Sequence, residues 1–199
     1  MSLFKMPCII FAGGRSSRMG ENKAFLPFGQ YDSLIKYQVK RLEKIFERVY
    51  VSTKDKNKFK SIDANIIEDQ IYPKVFAPTS GFFNIFKYLK NDDTFFVISV
   101  DTPFVNKNII TSLMQVTSTN YEAIVLRTPS SIHPLCGIYT RALQKPIQKM
   151  LEEDNHKLMI LLKNSKVKYV DVDDEESLLN LNTPDEYLKA VKILQNKFK

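Results

Sequence analysis

The sequence predicts an α/β fold built on a mostly parallel sheet, and three observations carry that prediction. Short apolar runs alternate with stretches whose apolar residues recur at helical spacing. Several runs are apolar at successive positions, as strands buried on both faces must be. A glycine pair, a serine or a carboxylate follows each early run, where sheets of this kind place their sites.

Residues 8–12 read CIIFA, the first strand. Residues 33–46 put Ile35, Val39, Leu42 and Phe46 on one helical face. RVYVST (48–53) and NIIED (65–69) are the next two strands. Residues 81–90 set Phe82, Ile85, Phe86 and Leu89 at helical spacing, and TFFVISVD (94–101) is an apolar strand ending in a carboxylate. A helix over 106–116 and strands over 121–127 and 133–140 follow. Residues 141–164 read as two helical segments, and 166–176 as a strand running into an acidic cluster. The last helix has a marked start: Thr183 as N-cap, Pro184 in the first turn and Glu186 at the capping-box position. Leu188, Val191, Leu194 and Phe198 form its expected apolar face. Neither a repeat nor a low-complexity linker interrupts the pattern, so residues 1–199 read as a single domain.

With 199 residues and 44% hydrophobic content, the chain is long enough to bury a core. A net charge of +7 suits a small polyanion, a membrane surface or nucleic acid, and equally a lysine-rich surface. No Lys/Arg block with interleaved aromatics supports a nucleic-acid partner. No apolar stretch reaches the length of about 18 residues that a membrane span needs. The first apolar run is too short for a secretory signal, so the chain is expected in the cytoplasm, without a membrane partner. Cys8 and Cys136 lie in separate apolar runs without a C-x-x-C spacing and read as buried thiols of a reducing compartment.

The most informative stretch is IIFAGGRSSRMGENKAFLPFG, residues 9–29. It fails G-x-x-x-x-G-K-S/T, because Gly20 is followed by Glu21, Asn22 and only then Lys23, and it contains no G-x-G-x-x-G. The loop is still built for an anion. Gly13 and Gly14 let backbone N–H groups approach closely, and Arg15, Arg18 and Lys23 add positive charge. Asp101 ends its apolar run before Thr102 and Pro103; it either holds Mg²⁺ or caps a turn. Asp69 is placed to meet the base or ribose of a nucleotide, or is a solvated loop residue. Asn180 and Asn182 alternate, so both side chains reach one side of an extended segment. His156 reads as a surface residue, and His133 as a lone histidine without a visible partner. The five carboxylates in residues 171–176 read as a solvated turn. With no Ser/His/Asp spacing and no His/Cys metal cluster, the expected chemistry is electrostatic, of the phosphoryl-transfer kind.

The opening string resembles the signature L/F-A-G-G-x-S-x-R-M-G-x-D/N-K of the molybdenum cofactor guanylyltransferases (MobA-type), within the nucleotidyltransferase superfamily. IIEDQ (66–70), APTSG (77–81), VDTPF (100–104), HPLCGIY (133–139) and NLNTPDE (180–186) agree with the family's further segments in order and spacing. The departures are Ser52, where many relatives carry an amide or charged residue, and APTSG, which lacks the family's first glycine and its leucine. The resemblance implies a Rossmann-like three-layer α/β/α sandwich of the nucleotide-diphospho-sugar transferase type. Its nucleotide-binding part would span about 1–105 and its acceptor-side part about 106–199.

It also implies the reaction: the phosphate of molybdenum-molybdopterin attacks the α-phosphorus of Mg²⁺-bound GTP and pyrophosphate leaves. Phe11, Ala12, Gly13, Gly14, Lys23, Asp69 and Asp101 would bind nucleotide. Lys23, Arg18 and Asp101 would act in catalysis, Asp101 would hold the metal, and Asn180 and Asn182 would face the acceptor. A monomer or weak homo-oligomer is expected, with contact to proteins that deliver or accept the molybdenum cofactor. Two alternatives stay open: a CTP- or UTP-dependent transferase acting on another phosphate, and a nucleotide-binding protein without catalysis.

Overall fold

The computed structural model describes residues 3–14, 20, 22–116 and 120–197. Seven strands form one sheet: β1 (Cys8–Phe11), β2 (Val49–Thr53), β3 (Asn65–Glu68), β4 (Thr94–Ser99), β5 (Ala123–Arg127), β6 (Ile132–Thr140) and β7 (Val167–Asp171). Their order is β3-β2-β1-β4-β6-β5-β7. β1 pairs in parallel with β2 and β4, β2 with β3, and β5 with β7. Only β6 runs antiparallel to its neighbours. The loop between β5 and β6 is too short for a crossover, so the two strands form a hairpin.

The helices are α1 (Leu34–Leu42), α2 (Pro78–Tyr88), α3 (Lys107–Met114), α4 (Gln144–Glu152), α5 (Leu158–Lys163) and α6 (Pro184–Lys197). Successive strand residues point to opposite faces. In β4, Phe96 and Ile98 join one apolar cluster with α1, α3 and α6, while Phe95 and Val97 join a second with α2, α4 and α5. β1 and β5 divide in the same way. The continuous apolar runs thus reflect helices on both faces, the expected three-layer arrangement.

The sequence reading differs from the structure in three places. The helix expected over 33–46 ends at Leu42. Phe4 N–H takes the Ile45 carbonyl at 2.9 Å and Glu47 N–H takes the Phe4 carbonyl at 3.0 Å, so the N-terminal segment claims the groups a longer helix would use. The helix expected from residue 81 starts at Pro78, since proline suits a first turn. In α6 the capping box forms as expected, with Thr183 N–H donating to Glu186 Oε2 at 2.8 Å and Glu186 N–H to Thr183 Oγ1 at 3.3 Å. Of its expected apolar face Leu194 is buried and Val191 packs half-buried against the core, with Ala190 beside them; Leu188 is 55% exposed, and Phe198 lies outside the described residues. Both cysteines are buried and unpaired, and burial pushes their thiols up, Cys136 to about 12.

Gly137 in β6 faces the register shift between Val125 and Leu126 of β5. A Cβ there would lie 2.9 Å from Val125 Cα and still closer to the Ile124 carbonyl, both backbone atoms that cannot swing aside. Gly137→Ala is expected to destabilise the fold by about 1–3 kcal/mol, read as a lower midpoint in urea denaturation.

Candidate active site

The strand order reverses at β1, with β2 and β3 to one side and β4 to the other. A crevice must open beyond the carboxyl ends of β1 and β4, because the chain leaves them in opposite directions. A cavity of about 210 Å³ lies there, and Phe11, Gly13, Gly14, Lys23, Asp69 and Asp101 are among its lining. Ala12, expected in that lining, is instead buried in the core beneath it, its N–H bonded to the Ser52 carbonyl at 2.9 Å. Arg15 and Arg18 lie outside the described residues.

Lys23 opens a short 3-10 turn (Lys23–Phe25) capped by Asn22, whose side chain accepts from the Ala24 N–H at 3.1 Å. This start fixes the direction of the lysine. Its Nζ forms an ion pair with Asp101 Oδ2 and donates to Asn182 Oδ1 at 3.1 Å. Asp101 is 8% exposed, and its other oxygen, Oδ1, is buried with no hydrogen-bond partner among the described residues. A buried carboxylate oxygen left bare is costly unless a cation completes it. Among the described residues no group of three or more His, Cys, Asp or Glu gathers. A cation here would be held by Asp101 together with ligands from its substrate. That donor set suits Mg²⁺, which keeps water and takes phosphate oxygens.

Asp69 reaches the cavity wall, but both its oxygens are engaged. Oδ2 pairs with Lys54 Nζ; Oδ1 accepts from Asn84 Nδ2 and, at 3.3 Å, from the Tyr72 N–H. Lys54 Nζ also donates to the Tyr72 carbonyl and to Ser80 Oγ, each at 2.8 Å. Asp69 therefore braces Lys54 against the first turn of α2. Sequence reasoning missed Lys54; its signal was its place just past β2, two residues beyond Ser52.

A second cavity, of about 520 Å³, adjoins the first and shares Pro78, Ser99, Asp101 and Leu135 with it. Asn180 and Asn182 line it, as do His133 and His156. Burial lowers the pKa of His133, a shift that Glu175 opposes. His156, expected on the surface, is a bridge: Nδ1 lies 2.9 Å from Thr79 Oγ1 and Nε2 lies 2.9 Å from Asp154 Oδ1. In the acidic cluster Asp171 pairs with Arg127 at 2.6 Å and Asp174 caps the Ser177 N–H at 3.1 Å.

The family model of the MobA-like NTP transferase domain matches residues 8–168. A molybdenum cofactor guanylyltransferase of Campylobacter jejuni is 36% identical over 189 residues, covering 95% of this chain and 97% of its own. One from Helicobacter pylori is 34% identical, covering 96% and 94%. The solved structure of molybdopterin-guanine dinucleotide biosynthesis protein A from Archaeoglobus fulgidus shares the fold at a TM-score of 0.82. It is 19% identical and covers 96% of this chain and 100% of its own.

The Lys54–Asp69 pair is 13% and 2% exposed, so removing one partner strands a charge. Asp69→Ala is expected to cost about 3–5 kcal/mol in chemical denaturation. Adding Lys54→Met to it should recover a large part of that loss, because both charges are then gone.

Proposed function

The chain belongs to the MobA-like NTP transferase family, and from that premise we propose that it transfers GMP from GTP to the phosphate of molybdenum-molybdopterin. Pyrophosphate leaves and molybdopterin guanine dinucleotide forms. The observation that carries the reading is the meeting of two cavities at Asp101, one lined by Gly13, Gly14 and Lys23, the other by Asn180 and Asn182.

In this reading the nucleotide occupies the smaller cavity and the acceptor phosphate enters from the larger. Phe11, Gly13 and Gly14 flank the nucleotide, and the Lys54–Asp69 brace holds the first turn of α2 against it. An acceptor oxygen forms its bond to the α-phosphorus as the bond to the pyrophosphate oxygen breaks. Both partners are anions, so alignment and charge neutralisation matter more than a strong base. Lys23 exchanges Asp101 for a phosphate oxygen. Asp101 would hold Mg²⁺ through Oδ1, and the metal would supply the positive charge that neutralises the triphosphate. Arg18 adds positive charge from the same loop. Asn182 orients Lys23, and Asn180 contacts the acceptor beside it.

Contact with proteins that carry the molybdenum cofactor belongs to the same proposal, as does a cytoplasmic location. No described helix is long and apolar enough to cross a membrane, and the two free, buried thiols suit a reducing compartment. The division at about residue 105 follows the two cavities only in part, since Asp101 serves both.

Pyrophosphate release assayed with GTP, CTP and UTP should favour GTP and cease with EDTA; a preference for CTP would overturn the guanine assignment. Asp101→Asn should lower kcat by about 100-fold or more while keeping the fold by circular dichroism. Gly81 in α2 packs against the Phe11 ring, and a Cβ there would fall inside contact distance of Cε1. Gly81→Ala should therefore push that ring into the cavity. The expected result is a KM for GTP raised about tenfold, with a smaller change in Tm.

A further inference from the structure

The turn that carries Asp101 is held from behind. β4 ends at Ser99, and Thr102 closes the turn, with its N–H 3.3 Å and its Oγ1 2.9 Å from the Ser99 carbonyl. The Leu181 N–H takes the Asp101 carbonyl at 2.9 Å. The carbonyls on either side, Val100 and Thr102, go to a single side chain: Gln38 Nε2 donates to them at 3.0 and 3.1 Å. It also lies 3.4 Å from the Ser99 carbonyl; an amide has two hydrogens, so this longer contact is shared.

Gln38 belongs to α1 and is 0% exposed, at a position where an apolar residue is the norm. Its Oε1 accepts from Arg41 Nε at 3.2 Å and from Nη2, while Arg41 Nη1 donates to the Val105 carbonyl. The surroundings decide the amide's orientation, since carbonyls face its nitrogen and a guanidinium faces its oxygen. Gln38 lines neither site cavity.

We infer that Gln38 is a positioning residue for the transfer reaction. With Arg41 it fixes the backbone on both sides of Asp101, so that the unpartnered Oδ1 is aimed before substrate arrives. The inference rests on the proposed role of Asp101. Its physical reason is that a single carboxylate does the holding. No cluster of metal-ligating side chains shares that task among the described residues. An aim that is wrong by about 1 Å can cost on the order of 100-fold in rate.

The test is Gln38→Met, which keeps the length and apolar fit and removes both donors. The Mg²⁺ concentration for half-maximal pyrophosphate release should rise about tenfold, and kcat should fall by a similar factor. The KM for GTP at saturating Mg²⁺ should change less than about twofold, since Gln38 touches no nucleotide. Mn²⁺ titration with GTP, followed by electron paramagnetic resonance, should show the same weakening without turnover. Val39→Ala, in the same helix and apolar, controls for stability: it should lower Tm and leave metal half-activation unchanged. A Gln38→Met protein with lowered Tm but wild-type metal half-activation and Mn²⁺ affinity overturns the inference. If Gln38→Met does not fold, Arg41→Met carries the test, with a weakening of about threefold expected and none overturning the idea. Asp101→Asn run alongside separates the failures: wild-type metal dependence in that variant sinks the role of Asp101, and the inference with it.

Discussion

The Lys23–Asp101 ion pair is the contact on which the crevice depends. It joins the segment after β1 to the turn after β4 at the point where the strand order reverses. Asn182, reaching Lys23 from the segment before α6, brings the end of the chain to the same spot. The Leu181 N–H bond to the Asp101 carbonyl repeats that connection in the backbone. Three regions far apart in sequence therefore share one cluster of charge, and the two cavities can adjoin because Asp101 stands between them. Such a pair, 13% and 11% exposed, is weak evidence for stability by itself. Its value lies in placement: it holds an ammonium and a carboxylate where a triphosphate and its cation would both be received.

Much of this was legible in the sequence. Continuous apolar runs announced strands covered on both faces, and the residue after each strand announced the crevice. Lys23, Asp101 and Asn182 were all marked as candidates, though nothing in a linear pattern shows that they bond to one another. What escaped was the supporting layer. Gln38 had a readable signal: with Ile35, Val39 and Leu42 it occupies helical spacing on the apolar face of α1, where a polar side chain must have a reason. Lys54 had only its position after β2. His156 reads as surface because its own stretch is polar, and nothing local reveals its partner Thr79 in the first turn of α2. Asp69 was marked as a nucleotide ligand, yet its oxygens serve Lys54, Asn84 and the Tyr72 N–H. A carboxylate's type and spacing do not reveal how many donors the fold will turn toward it.

The two acidic side chains of the crevice divide the work by how completely they are satisfied. Asp69 has donors on both oxygens and is 2% exposed, and it braces Lys54 and the start of α2. Asp101 has one oxygen on Lys23 and the other without a donor among the described residues. A buried acceptor without a donor raises the energy of the free protein, a cost that a bound cation would offset. In the proposed reaction Lys23 would turn from Asp101 to the incoming phosphate oxygens. Such an exchange would keep the local charge nearly balanced at each stage: ammonium with carboxylate before binding, carboxylate with metal and ammonium with phosphate after it. A site built this way need not bury an isolated charge in either state, which is the condition a low-dielectric crevice imposes on any chemistry between two anions.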